Sequence, residues 1–331
     1  RSPSRGLGDV YKRQILYMSG KEVNNGSLMY GGVIALINYA SQILVELIKF
    51  ANTVVLLSRA SASLNRLETV MDTKPSMIFP DRQATASISE EAVRFNHVSL
   101  RYQGAGEESL TDISFCAMRG QTIGVIGGTG SGKTSLVSLI SRFYDATDGQ
   151  VKLLGKPITD WTKEELRSHV GVVMQRAQLF TGTIRSNLQW GKPDATDKQL
   201  EKALETAQAL DFVRKKPLGL DEPVEQGGRN FSGGQRQRLT IARALVKEPK
   251  ILILDDSASA LDFATDAALR KALRKLPDDI TVFIVSQRTS SLQHADRILV
   301  LEDGCLVGCG SHDDLLKECQ VYREIYESQF Q

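Results

Sequence analysis

The stretch QTIGVIGGTGSGKTSLVSLISRFY, residues 121–144, joins a short apolar strand to an apolar helix through a glycine-rich loop. The loop, GGTGSGKT at residues 127–134, fits the pattern G-x-x-x-x-G-K-[ST]. Glycines let backbone N–H groups close around phosphates, and the helix start adds the positive end of its dipole. Lys133 can reach the β- and γ-phosphates, and Thr134 can bind Mg²⁺. The stretch therefore predicts a nucleotide-phosphate site instead of a purely structural glycine loop.

Strand-like and helix-like segments alternate on both sides of this loop. VGVVMQ, ILILDD and TVFIVS are typical of strands, and EELRSH, KQLEKALETAQAL and ATDAALRKALRKL of helices. The alternation predicts an α/β domain with a mainly parallel sheet over residues 93–331. VRFNHVSLRY and ISFCAM are further strands, and DRILVLEDGCLVGCG predicts a hairpin that turns at Asp303-Gly304 before a last helix.

Two adjacent acids end the predicted strand ILILDD. A carboxylate at Asp255 can hold Mg²⁺ from the side opposite Thr134. Without the phosphate loop, two acids that solvate a strand end would be the simpler interpretation. With the loop, a metal role for Asp255 is favoured, and Asp256 stands beside it.

The segment NFSGGQRQRLTIARALV predicts a long helix capped by Ser232. Gly233 and Gly234 in its first turn cost stability unless another group approaches the backbone closely. A second phosphate-binding helix start in one chain indicates that two copies of the domain share each nucleotide.

The amino-terminal quarter contains an uncharged run of 18 residues, 28–45, which just reaches the length of a bilayer span. Asn38, Gln42 and Glu46 would share one helix face, which in a membrane should turn toward a bundle interior or a water-filled pathway. A long amphipathic helix outside a membrane is the alternative. A polar helical continuation follows.

The expected organisation has four parts. Residues 1–14 are basic and lack an apolar stripe, so we interpret them as a non-native cloning remnant and expect the native sequence to begin near Ile15, inside a longer protein. Residues 15–75 are expected to form the end of a transmembrane domain, with its last helix at about 28–57. A linker is expected at 76–92, ahead of the α/β domain.

Composition excludes some classes of protein. With 41 Lys plus Arg against 39 Asp plus Glu, the net charge of +2 gives no support for a nucleic-acid partner. The four cysteines have no paired CxxC spacing, which disfavours zinc.

The phosphate loop, the SGGQ helix start, and a strand-end acid followed by SALD resemble, in order and spacing, the ATP-binding cassette (ABC) transporter family. The resemblance covers residues 93–331. It implies a P-loop NTPase nucleotide-binding domain with a helical subdomain, preceded by a transmembrane α-helical fragment of exporter type. It also implies ATP and Mg²⁺ as cofactors, with two ATP molecules sandwiched between head-to-tail domains.

The resemblance assigns roles to individual residues. In the ATP-binding set, Tyr102 stacks on adenine, and the phosphate loop comprises Gly127, Gly128, Thr129, Gly130, Ser131, Gly132, Lys133 and Thr134. The same set includes Ser232, Gly233, Gly234 and Gln235, which bind the ATP held by the other domain. Asp262 also belongs to it and lies between the two sites. The Mg²⁺ set comprises Thr134, Gln175 and Asp255, and Gln175 also senses the membrane domain. The segment RAQLFTGTIRSNLQWG would contact the intracellular coupling helices.

Two residues at the catalytic centre depart from the family pattern. Asp256 stands where the family has a glutamate that polarises the attacking water, and Gln287 stands where it has a histidine that touches the γ-phosphate. One methylene less retracts the carboxylate by about 1.5 Å, and a misplacement near 1 Å can cost on the order of a hundredfold in rate. A neutral amide can donate a hydrogen bond but cannot become a cation. With Gln175, these residues form the candidate catalytic set.

Both departures together resemble the slow half of heterodimeric exporters. The implied protein is a transport-coupled ATPase subunit in the plasma membrane, multi-pass at full length, with a cytoplasmic ATP-binding domain. Its implied partners are a second half-transporter, the lipid bilayer and an undefined transported substrate. A homodimeric exporter and a mainly regulatory ATP-holding module are the alternatives. A DNA-repair or translation ATPase lacks support, because no zinc module or coiled coil interrupts the domain.

Overall fold

The computed structural model describes residues 3–81, 89–257, 260–277 and 279–329. The chain forms two compact units, Arg1–Ser76 and Met77–Gln331. Most of the predicted linker at 76–92 is described, but residues 82–88 lie outside the described part.

The first unit contains two helices, α1 (Pro3–Asn24) and α2 (Tyr30–Met71). Residues 3–14, for which the sequence predicts no amphipathic helix, belong to α1, and a proline is well tolerated in a first helical turn because its missing N–H has no partner there. Helix α2 has 42 residues, so the apolar run and its polar continuation form one helix. None of its residues is buried.

The second unit contains the remaining elements. Its strands are β1 (Glu91–Leu100), β2 (Leu110–Met118), β3 (Thr122–Gly127), β4 (Asp148–Leu153), β5 (Lys156–Pro157), β6 (Val170–Val173), β7 (Gly182–Thr183), β8 (Pro223–Val224), β9 (Ile251–Asp255), β10 (Thr281–Val285), β11 (Arg297–Glu302) and β12 (Cys305–Gly310). Its helices are α3 (Lys133–Ile140), α4 (Lys163–His169), α5 (Ile184–Gln189), α6 (Asp197–Thr206), α7 (Leu210–Arg214), α8 (Gly233–Val246), α9 (Phe263–Leu273), α10 (His312–Glu318) and α11 (Gln320–Glu327).

The central sheet has six strands in the order β12-β11-β3-β10-β9-β6. All neighbours are parallel except β11 and β12, so the predicted mainly parallel sheet is confirmed. The predicted hairpin is also confirmed: Asp303 and Gly304 connect β11 to β12 with φ of 44° and 79°. This left-handed pair is the geometry of a two-residue hairpin turn.

A second, antiparallel sheet has the order β2-β1-β4-β5. It shares one apolar core with α3 and the central sheet, in which the Phe95 and Phe115 rings stack at 4.6 Å. Another core joins α6 and α8 to the opposite face of the central sheet. These helices form the helical subdomain.

Two helices are shorter than the sequence predicts. Helix α3 ends at Ile140 and not at Tyr144, because Arg142 takes a left-handed φ of 49° and the N–H of Phe143 donates to Ser138 O at 2.9 Å. This is a Schellman end, with an arginine where glycine is usual. The segment KQLEKALETAQAL breaks into α6 and α7 at Gln208, whose φ is 56°.

Candidate functional site

The phosphate loop links β3 to α3 at the carboxyl edge of the central sheet. Gly130 and Gly132 have φ of 84° and 95°, in the region that favours glycine. A Cβ on Gly127 would lie 2.1 Å from the Leu301 carbonyl oxygen. Packing therefore requires glycine at position 127, and the left-handed backbone favours it at positions 130 and 132.

Gly132→Ala should lower the free energy of unfolding by roughly 2–4 kcal/mol. The added Cβ would meet the Ser109 carbonyl oxygen at 2.7 Å, and the backbone would be strained. Gly128→Ala is the matched control, because no described atom lies within 4 Å of its Cβ. Urea unfolding of the nucleotide-free protein measures both changes, and equal effects would contradict the expectation.

Lys133 begins α3, and its ammonium group folds back onto the loop. Its Nζ donates to Gly127 O at 2.9 Å and also to Gly128 O. Burial lowers the pKa of Lys133, while the charges of Asp255 and Asp256 act in the opposite direction. A polyphosphate would give this half-buried cation a stronger partner than two carbonyl groups.

Asp255 is the last residue of β9 and is only 5% exposed. Burial raises the pKa of its carboxyl group, and a hydrogen bond with the Thr134 side chain acts in the opposite direction. A buried carboxylate beside a hydroxyl is a hard oxygen donor set of the type that Mg²⁺ prefers. These residues fit the predicted metal, which would reduce the cost of burying the carboxylate charge.

Asp256 and Gln175 are in direct contact. Gln175 Nε2 donates to Asp256 Oδ2 at 3.1 Å, although 81 positions separate the two residues. The Asp256 backbone is left-handed, with φ of 44°, and its N–H donates to Val285 O at 3.0 Å. This geometry directs the carboxylate toward the strand that ends before Gln175. The structure thus joins two of the three candidate catalytic residues.

Gln287 follows β10 at the same edge of the sheet. Val285, the last residue of β10, is in register with Asp255, and the Ser286 N–H donates to Val125 O at 3.1 Å. The Gln287 side chain is exposed. Its position beside the ends of β3 and β9 therefore allows contact with a ligand on the phosphate loop.

Tyr102 lies next to α3. Its hydroxyl forms a hydrogen bond with Ser135 Oγ at 2.9 Å, and its ring meets the Tyr144 ring edge-to-face at 4.8 Å. The phosphate loop faces an open cavity of about 950 Å³ that is also lined by residues 105–109 and by the Asp303-Gly304 turn. Sequence reasoning predicted the Asp303-Gly304 turn as part of a hairpin, but it did not place that turn or residues 105–109 at the site.

The SGGQ segment starts α8 as predicted. Ser232 Oγ accepts from the Gln235 N–H at 3.3 Å and Gln235 Oε1 accepts from the Ser232 N–H at 3.1 Å, which makes a capping box. Asp262 caps α9 by accepting from the Thr265 N–H at 2.9 Å. Within the described ranges, no hydrogen bond or ion pair joins residues 232–235 to the phosphate loop. The chain thus presents two separate sets of predicted nucleotide-binding residues.

The segment RAQLFTGTIRSNLQWG exposes a pair of aromatic rings. Phe180 and Trp190 stack at 4.6 Å and are 44% and 68% exposed. Arg243 lies over the Phe180 ring, and its buried Nη1 has no hydrogen-bond partner among the described residues. Phe180 and Trp190 thus form an exposed aromatic surface on this segment, and its contact with coupling helices stays a prediction.

Comparison with known proteins agrees with this geometry. A profile of the ABC transporter family matches residues 110–259. The uncharacterized ABC transporter ATP-binding protein YfiB of Bacillus subtilis (strain 168) is 40% identical over 319 residues, which cover 96% of this chain and 54% of that protein. An ATP-dependent lipid A-core flippase of Xanthomonas oryzae pv. oryzae (strain MAFF 311018) is 36% identical over 326 residues, covering 98% of this chain and 55% of the flippase. The chain spans about half the length of the curated relatives it matches.

A solved structure of a bacterial Atm1-family ABC exporter with ATP bound is also similar. It has a TM-score of 0.77 and 29% sequence identity, and the match covers 92% of this chain and 53% of that one. ATP-binding domains of this kind bind ATP, generally with Mg²⁺. The chain therefore carries the ATP-binding domain of the ABC transporter family.

Proposed function

We propose that this chain is the ATP-binding subunit of an ABC exporter and couples ATP binding and hydrolysis to transport across a membrane. The observation that carries the proposal is the grouping of Lys133, Thr134 and Asp255 beside the glycine loop, with Gln175 bonded to the adjacent Asp256. When bound, ATP with Mg²⁺ supplies the reacting phosphate. Lys133 would bind its β- and γ-phosphates, and Thr134, Gln175 and Asp255 would hold the metal.

The first unit supports the proposal that part of this chain lies in a membrane. Helix α2 carries an apolar window and has no buried residue, and its large apolar side chains are exposed. At 1.5 Å per residue, 42 residues reach about 63 Å, roughly twice the hydrocarbon thickness of about 30 Å. The apolar part would cross the bilayer, and the polar part would extend beyond the hydrocarbon region. A plasma membrane location, with that domain in the cytoplasm, belongs to the proposal.

The finer proposal is that this chain is one half of a heterodimer and that its own phosphate loop cleaves ATP slowly. Asp256 and Gln287 support it, because two independent residues at one site depart from the pattern while the phosphate loop and the SGGQ segment match it. In this arrangement, residues 232–235 complete the faster site, whose phosphate loop belongs to the partner.

A regulatory ATP-holding module is the second candidate, and the same two residues favour it. The two functions differ in turnover, so the ATPase rate of this subunit alone is compared with that of the assembled pair. Hydrolysis that requires both subunits favours the coupled enzyme. A partner that hydrolyses at the full rate without this chain favours the regulatory module.

Lys133→Ala should weaken ATP binding by this subunit about thirtyfold, because a charge-assisted contact to phosphate is worth about 2 kcal/mol. The measurement is photolabelling with 8-azido-ATP in the full-length transporter, followed by separation of the subunits. Lys198→Ala, an exposed lysine on α6, is the control. Equal labelling of both variants would reject the assignment of the phosphate loop.

A further inference from the structure

The loop that carries Gln287 is bound by a residue just beyond α11. Gln329 Nε2 donates to the Gln287 carbonyl oxygen at 2.7 Å. Gln329 Oε1 accepts from the Thr289 N–H at 2.9 Å and from Thr289 Oγ1 at 3.0 Å. A single amide side chain therefore makes three hydrogen bonds to residues 287–289.

These bonds satisfy groups that have no other described partner. Thr289 is fully buried, and in the described part of the chain Gln329 is the acceptor for both its N–H and its hydroxyl. A buried donor without a partner costs free energy. The loop conformation that presents Gln287 therefore depends on Gln329.

Gln329 is held in turn by a helix that packs on the central sheet. Tyr322 of α11 is fully buried, and its hydroxyl forms a hydrogen bond with His312 Nδ1 at 2.7 Å. It belongs to an apolar cluster with Ile126, the residue of β3 immediately before the phosphate loop. Helix α11, which precedes Gln329, is therefore packed against the strand that leads into the nucleotide site.

We propose that Gln329 is a positioning residue that holds Gln287 against the γ-phosphate and so makes this site prefer a nucleoside triphosphate over a diphosphate. The inference rests on the proposed function and on the family resemblance, which places position 287 at the γ-phosphate of bound ATP. A diphosphate has no group at that position, so its binding is independent of Gln329. A merely structural role would affect both nucleotides alike.

The test uses the full-length transporter with its partner and compares adenylyl imidodiphosphate, a non-hydrolysable ATP analogue, with ADP. Gln329→Ala should weaken binding of the analogue about fivefold and leave ADP within about 1.5-fold, as expected for the loss of roughly one hydrogen bond to phosphate. Gln329→Glu keeps the acceptor for Thr289 but turns a carboxylate oxygen toward the Gln287 carbonyl. It should therefore keep the two Thr289 donors paired and still weaken analogue binding. Gln320→Ala is the control, because Gln320 is exposed on α11 and, among the described residues, its amide bonds only to Glu324.

A double-mutant cycle identifies the residue through which Gln329 acts. In a Gln287→Ala background, Gln329→Ala should change analogue binding by less than about twofold. A full fivefold effect in that background, or equal weakening of analogue and ADP, overturns the inference. If the wild-type subunit binds neither nucleotide, the proposed function itself fails, which is a different outcome from either of these.

Discussion

Changing both unusual residues together, with Asp256→Glu and Gln287→His, is expected to raise the single-turnover rate of ATP hydrolysis at this phosphate loop about a hundredfold. The Asp256 carboxylate is already oriented, since it accepts a hydrogen bond from Gln175 Nε2 at 3.1 Å. Glutamate would carry the same group about 1.5 Å further from the backbone, toward a water on the phosphate side. Histidine at 287 would add a group that can take a positive charge near the γ-phosphate.

The single variants separate the two contributions. Asp256→Glu alone should give the larger part of the gain, because positioning a general base is worth about a hundredfold or more. Asp256 has φ of 44°, a conformation that aspartate tolerates better than glutamate, so Asp256→Glu should also cost up to about 1 kcal/mol of stability. Thermal unfolding measures that cost independently of turnover.

The measurement is release of labelled phosphate in a single turnover, with the other nucleotide site of the assembled transporter inactivated. Asp256→Asn is the control, since it keeps the size and removes the base, and it should show no gain. A double variant that turns over at the wild-type rate would contradict the idea that these two residues slow the site.

The sequence predicts which edge of the sheet carries the candidate site better than it predicts how the strands pair. The carboxyl ends of parallel strands meet at one edge, so the predicted parallel sheet places residues 127–134, Asp255 and Gln287 at the same edge. The order β3-β10-β9, which makes these strands neighbours, comes from the structure. The antiparallel sheet β2-β1-β4-β5 was not predictable in the same way, because local patterns identify strands but not their partners. The hydrogen bonds between Gln175 and Asp256 and between Thr289 and Gln329 also join residues far apart in the chain, and no sequence pattern predicts such pairs.

Helix ends show the same limit of prediction from local sequence patterns. Ser232 was predictable as a cap because a small hydroxyl residue precedes an apolar helix. The end of α3 was not, because a buried arginine at position 142 takes the left-handed conformation that usually marks a glycine. Its guanidinium is held by Asp145 and by the Ile78 carbonyl oxygen, contacts that only the folded domain provides.

Ser232→Arg is expected to lower ATP hydrolysis by the assembled transporter at least a hundredfold, because residue 232 caps the start of α8. The first N–H groups of a helix have no intrahelical partner, and Gly233 and Gly234 leave them uncovered by side chains. In the proposed composite site these groups bind the γ-phosphate held by the partner subunit. A long side chain at position 232 would occupy the space through which the partner's γ-phosphate reaches these N–H groups. ATP labelling at this chain's own phosphate loop should change less than about threefold.

Thr196→Arg is the matched control for this change. Thr196 is also an exposed residue at a helix start with a glutamine three residues later, whose Oε1 accepts from the Thr196 N–H at 3.0 Å, so its replacement perturbs a comparable helix start, at a cost of up to about 1 kcal/mol. It lies at the start of α6, outside both sets of predicted nucleotide-binding residues, and hydrolysis should stay within about twofold. If Ser232→Arg and Thr196→Arg reduce ATPase activity equally, the loss reflects a lost cap. If Ser232→Arg leaves activity unchanged, α8 does not bind the nucleotide of a second domain and the composite site is rejected.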